Sequence, residues 1–168
     1  RTTASKSGKD FSTKIINISS AQGLSTLPGL GAYGASKFAL EGFSESLYFE
    51  IQPFGIEVVI LEPGTYLTKA IDENSHEAGI GLDTDSPYAK YAKRLKDLHS
   101  NILITKKGVG DPEDVAIMIE DIINRKRNKL RYLAGTQAKI RVWMKSILPF
   151  RWFSKIILKL VMGVNRSN

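Results

Sequence analysis

The residues of this chain best suited to chemistry stand in one short run, Tyr33-Gly34-Ala35-Ser36-Lys37. On a helix, Tyr33 and Lys37 are four positions apart and share a face. A phenol ordinarily ionises near about pH 10 and is a poor base at neutral pH. A neighbouring ammonium favours the phenolate and lowers that value. At an effective dielectric of about 20, a unit charge roughly 4–5 Å away contributes a few kcal/mol, enough to lower the phenol pKa by about two to three. Such a phenol can serve as a general acid or base. A Tyr and a Lys at this spacing also occur by chance, as a core edge and a solvated face, so the setting must carry the argument.

Other chemistries have little to work with. The chain has no cysteine and two histidines, His76 and His99. There is no thiol nucleophile and no disulfide, and no metal site is expected. Gly29-Leu30-Gly31-Ala32-Tyr33-Gly34 matches the dinucleotide fingerprint Gly-x-Gly-x-x-Gly letter for letter. That fingerprint must follow a strand directly and open the first helix of a βαβ unit. About ten loop residues intervene here, so the match is set aside.

The elements that must position Tyr33 and Lys37 can be read from pattern. Lys14–Ser19 is a β-branched run, expected to be a strand buried on both faces. Ser20–Gly31 is a loop. From about Ala32 to Gln52 the pattern is helical, with Phe38, Leu40, Phe43, Leu47 and Ile51 on an apolar face and Glu41, Glu45 and Glu50 on others. Pro53 and Gly55 stop it. Ile56–Leu61 is a second strand, ended by Pro63-Gly64. Residues 65–87 form a long irregular loop, and such loops are commonly lids or binding segments. Residues 87–100 look helical. Asp111 caps a helix with Pro112 at its first position, running to about Asn124. Leu130–Ala134 is a third strand, and the rest is helical and basic. Long helices between short apolar strands imply crossovers and a parallel sheet, hence an α/β fold. Three strands make only part of a doubly wound sheet. The opening Arg1-Thr2-Thr3 reads as a cut through a longer protein, and a half sheet is expected to expose an aggregation-prone edge.

The setting of Tyr33 and Lys37 is Ile15-Ile16-Asn17-Ile18-Ser19-Ser20-Ala21-Gln22-Gly23 upstream and Pro63-Gly64-Thr65-Tyr66-Leu67-Thr68 downstream. In this order and at these separations the chain resembles the short-chain dehydrogenase/reductase family over roughly residues 14–135. The resemblance implies a partial Rossmann-like, doubly wound parallel sheet with a helical C-terminal extension. Residues 1–13 are then loop, 14–135 the C-terminal half of the family's domain, and 136–168 a basic amphipathic tail. It implies NAD(P)-dependent interconversion of an alcohol and a carbonyl. Ser20 matches the serine that binds the substrate oxygen, Tyr33 the proton donor or acceptor, which also binds the cofactor, and Lys37 the residue that tunes the tyrosine and binds the nicotinamide ribose. Pro63, Gly64, Tyr66 and Thr68 match the segment that holds the nicotinamide carboxamide. Tyr66 stands where the family often has a β-branched residue, which is harmless if the position acts through its backbone. The cofactor is NADP or NAD, with NADP slightly favoured. The family's glycine-rich turn and catalytic asparagine have no counterpart in the chain, so the 168 residues alone are expected to bind little cofactor. A homo-oligomer of the longer parent is open.

The net charge of +7 is uneven. Residues 1–124 hold 12 Lys and Arg against 17 Asp and Glu, whereas residues 125–168 hold 12 Lys and Arg and no acid. Residues 139–163 combine Arg141, Lys145, Arg151, Lys155 and Lys159 with Trp143, Phe150, Trp152, Phe153 and many aliphatics, broken by Pro149. That is the composition of helices lying on a membrane surface. It equally suits a helix pair packed on a substrate pocket or a partner subunit. No apolar run is long enough to span a bilayer. The expectation is peripheral membrane contact, a cytoplasmic or intracellular-membrane location, and a lipophilic substrate resembling a steroid, retinoid or fatty chain. Nucleic-acid binding is not expected. The rival is an inactive remnant acting through its tail as a membrane- or partner-binding module.

Overall fold

The computed structural model describes residues 13–66, 85–105 and 108–164. Thr68, the 1–12 segment and most of the 65–87 loop lie outside these residues. Thr13–Ile18 forms strand β1, Gly31–Ile51 helix α1, Ile56–Pro63 β2, Ala89–Thr105 α2, Pro112–Asn124 α3 and Arg131–Ala134 β3. Thr136–Ile147 forms α4 and Phe150–Ile157 α5, which continues into a π-helical turn at Leu158–Met162.

The three strands lie side by side in chain order, and both pairings are parallel. Ile18 faces Leu61 across one pair, and Ile60 faces Arg131 across the other. Side chains alternate between faces along a strand. Val59 and Leu61 therefore point one way, where Ile122 of α3 closes over them to make the fully buried core. Ile16, Val115, Met118, Ile119 and Tyr132 surround it. The other face, with Val58, Ile60 and Glu62, meets α1, and Asn17 Nδ2 there donates to Ser44 Oγ at 2.8 Å. Helices on both faces of a parallel sheet give the doubly wound arrangement expected.

Local signals set the boundaries. Gly55, at φ 73°, ends the Gln52–Phe54 turn after α1. Asp111 caps α3, its Oδ1 accepting from Glu113 N at 3.0 Å. Pro149 separates α4 from α5. Lys14 reaches from β1 to the C-terminal end of α3, donating to the carbonyls of Ile122 at 3.1 Å, Ile123 at 2.8 Å and Arg125. A cation suits that end of a helix.

Two expectations need correction. β1 is only partly buried, and Ile18 is 50% exposed. It forms an edge of the sheet among the described residues, so burial on both faces does not arise. Along α1 the expected faces are partly exchanged. Glu41 is 5% exposed, while Phe38, Phe43 and Phe49 are exposed. Small residues, Gly34 and Ser44, with Glu41 form the buried line. A carboxylate is tolerated there because Arg131 meets it.

Candidate active site

β1 and β2 are parallel, so their C-terminal ends lie at the same edge of the sheet. In open α/β sheets that edge is where ligands bind. Ser20 follows β1 in extended conformation, at φ −164° and ψ 155°. Its Oγ accepts from Gln22 N at 3.2 Å, capping the turn Ala21–Gly23, and donates to Pro63 O at 3.4 Å. The last bond is long, and Ser20 is otherwise buried.

Tyr33 lies in the first turn of α1 and is 46% exposed. Lys37 is one turn on. Its Nζ donates to Ile18 O at 3.1 Å and sits 5.6 Å from the centre of the Tyr33 ring. The structure thus brings Tyr33 and Lys37 together on one face of α1. It fixes the ammonium to the end of the strand that leads into Ser20. Pro63 ends β2, and its carbonyl meets Ser20. Gly64 N donates to Ala134 O at 2.9 Å, tying this segment to β3.

Tyr66 is seated differently from what its place in the motif suggests. Thr65 O accepts from Gly110 N at 2.9 Å, and Tyr66 pairs with Gly110 in a single parallel bridge. The Tyr66 ring is buried over Gly110, where an added Cβ would meet Cε1 at 2.3 Å. Burial, and then the charge of Asp114, push its hydroxyl pKa up. The side chain is therefore a packing element.

Sequence reasoning missed two groups beside this edge. One is a partly buried ionic cluster, Glu41 and Glu45 of α1, Glu62 of β2 and Arg131 of β3, in which Glu41 and Glu62 are buried. Arg131 Nη1 donates to Glu41 and to Glu62 Oε1 at 3.0 Å, and Nη2 to Glu45 Oε2 at 3.1 Å. Its signal was an acid, Glu62, next to the apolar run Val58–Leu61 of β2. The other is Lys145 of α4. It donates to Leu24 O at 2.5 Å and lies 5.3 Å over the Phe38 ring. This tail cation is thus held against the loop between Ser20 and Tyr33. Arg94 Nε of α2 donates to Val161 O at 2.9 Å, so the tail also touches α2.

Comparison with known proteins bears on the family. The family described as short chain dehydrogenase matches residues 3–79. An uncharacterized oxidoreductase of Bacillus subtilis, YusZ, is 38% identical over 155 residues, 90% of this chain and 53% of that protein. The 3-ketodihydrosphingosine reductase of Bacteroides thetaiotaomicron is 34% identical over 76% of this chain and 45% of its own length. An NADPH-dependent 3-dehydrocapnine reductase of Ornithobacterium rhinotracheale is 29% identical over 93% and 53%. A solved short-chain dehydrogenase from Streptomyces avermitilis superposes with a TM-score of 0.59 at 28% identity, covering 89% of this chain and 52% of that one. The chain belongs to the short-chain dehydrogenase/reductase family. It spans about half the length of the curated relatives it matches.

Proposed function

We propose that the protein carrying these residues interconverts an alcohol and a ketone or aldehyde with a nicotinamide cofactor. The observation that carries this reading is the placing of Lys37 Nζ on the Ile18 carbonyl and beside the Tyr33 ring, at the strand end that leads into Ser20. In the reducing direction, Tyr33 Oη gives its proton to the substrate oxygen; in the oxidising direction it takes that proton. Ser20 Oγ, on its long bond to Pro63 O, is free to turn and hold the same oxygen. Lys37 uses one of three donors on Ile18 O, which leaves two for ribose hydroxyls. When bound, the cofactor supplies or accepts the hydride.

The residues fit the nicotinamide end of such a cofactor. Tyr33 is open at the edge of the sheet, and Lys37 has donors to spare. Pro63, Gly64, Tyr66 and Thr68 would hold the carboxamide, Tyr66 through its backbone because its ring is spent on Gly110. NADP is favoured over NAD, in line with the relative named as NADPH-dependent. A lipophilic carbonyl substrate accords with the relatives named for a 3-keto sphingoid and a 3-dehydro compound. Homo-oligomer formation belongs to the same reading, supported by the exposed Phe43 and Phe49 of α1.

The test is cofactor oxidation in the presence of long-chain ketones. Tyr33→Phe should lower turnover by about 10²–10⁴-fold, far more than it changes NADPH affinity. Turnover at the full rate in Tyr33→Phe overturns the assignment.

A second reading concerns the tail. Trp143, Ile147, Phe150, Trp152 and Leu160 are exposed on α4, α5 and the π-helical turn, in a stretch rich in cations and without acids. Among the described residues no helix is long and apolar enough to cross a membrane. These side chains are proposed to rest on an anionic membrane surface, where the protein would meet its substrate. In the alternative without catalysis, the same face is the whole function.

A further inference from the structure

The partly buried ionic cluster lies directly behind the proposed site. Tyr33, Lys37, Glu41 and Glu45 follow one another at intervals of four along α1. The line of helix that carries the reacting pair therefore also carries two of the three carboxylates bound to Arg131. Glu62 immediately precedes Pro63, whose carbonyl meets Ser20 Oγ. A Cβ placed on Gly23 would lie 3.0 Å from each of Glu41 Cγ, Lys37 O and Ser19 Oγ. Glu41 thus also abuts the turn that Ser20 caps.

We propose that Glu41, Glu62 and Arg131 form a positioning clamp. It sets the height and rotation of α1, and with them Tyr33 and Lys37, against the strand ends that carry Ser20 and Pro63. The clamp spans three elements, and its two carboxylates are buried: Glu62 is 1% exposed. One guanidinium faces three carboxylates, two of them out of water. Full ionisation would leave an unbalanced negative pair, which a buried site resists. One proton shared between Glu41 and Glu62 removes the imbalance and adds a carboxyl–carboxylate hydrogen bond between α1 and β2. Burial is the main cause that holds Glu62 up to about 7; the bond from Arg131 opposes it and the charge of Glu41 adds to it. The charged or titratable groups facing Glu62 are Glu41 from α1 and Arg131 from β3, with Glu45 on the far side of the guanidinium. β1 brings only uncharged Ser19 and Asn17 to this face. Loss of the shared proton sets two carboxylates against each other across the α1–β2 contact, and α1 shifts on the strand ends.

The proposal rests on the reading of Ser20, Tyr33 and Lys37 as the site, and its test reads Tyr33 without needing turnover. The full chain is prepared with tyrosine labelled at Cζ, and Tyr33→Phe assigns the resonance. The Tyr33 signal is followed by NMR between about pH 5 and 9, a range that brackets both carboxyl states. An inflection at about 7 is expected, the value at which Glu62 releases its proton. Glu62→Gln should abolish it. Glu45→Gln, which changes an outer ligand of the same arginine, should leave it in place. Should Glu62→Gln not fold, by circular dichroism, Glu41→Gln is expected to move the inflection to lower pH, because it removes the charge that adds to the effect of burial on Glu62, and an inflection unmoved in folded Glu41→Gln overturns the clamp. A Tyr33 signal that is flat through neutral pH in the unaltered chain, or the same inflection in folded Glu62→Gln, overturns the clamp. Full turnover in Tyr33→Phe would instead overturn the reading of the site, so the two failures are distinct.

Discussion

Replacing Glu62 with glutamine takes a titration out of the core, and its effect on stability should grow with pH. The folded carboxyl is raised from 4.5 to about 7, chiefly by burial. Below about 4.5 both folded and unfolded states hold the proton, and the side chain adds nothing pH-dependent. Between the two values the folded state keeps a proton that the unfolded state has lost, so stability falls as pH rises. The loss is complete once pH has passed through about 7. At about 1.4 kcal/mol per pH unit the full swing is on the order of 3 kcal/mol. Arg131, whose side chain is one-third exposed, can relax toward water, which brings the expected swing to about 2 kcal/mol. Glutamine keeps the shape and still offers a carbonyl to Arg131, but does not titrate. The stability of Glu62→Gln relative to the unaltered chain should therefore rise by about 2 kcal/mol from pH 5 to pH 8, or roughly 4–8 °C in Tm. Urea unfolding at fixed ionic strength across that range measures it, with the slope m checked for constancy. Parallel stability curves for the two proteins would refute the placing of a neutral carboxyl at position 62.

Ile122 is fully buried with Val59 and Leu61. Ile122→Ala should cost about 3 kcal/mol, read as a Tm lower by roughly 6–12 °C. For the tail, vesicles of phosphatidylcholine alone and with about a third phosphatidylglycerol separate the outcomes. Sedimentation of the chain with the anionic vesicles, weakened by high salt and by the double substitution Trp143→Ala and Trp152→Ala, is expected. Absence of binding to either vesicle at low salt would remove the membrane reading.

Much of the fold could be read from pattern because its signals are local. β-branched runs gave the strands, Asp111 and Pro112 the start of α3, and Pro149 the break in the tail. The Tyr33–Lys37 pairing was equally local, since a four-residue spacing on a helix fixes who meets whom. What escaped was long-range. Glu41 was assigned to an outer face because the periodicity of α1 was judged by its apolar residues. Yet Phe43 is 61% exposed and Glu41 is buried. The partners that reverse this, Glu62 and Arg131, are brought in by sheet pairing and not by spacing along α1. Lys145 was read only as one of the tail's cations for the same reason: the loop it binds lies more than a hundred residues earlier. Tyr66 was expected to matter through its backbone, and the ring's seat on Gly110 is visible only in three dimensions.

The reach of Lys14 to the end of α3 has a consequence for how the chain folds. The pairing of β1 with β2 needs only α1 between them, so it can follow from one crossover. The bonds from Lys14 to Ile122 and Ile123 instead close loops of 108 and 109 residues. Closing a loop of that length carries an entropic penalty before any reward. The contact is expected to form after β2 and α3 have come together over Val59 and Leu61. It therefore records the end of assembly, a latch that joins the earliest described strand to the last turn of α3 once everything between them is in place.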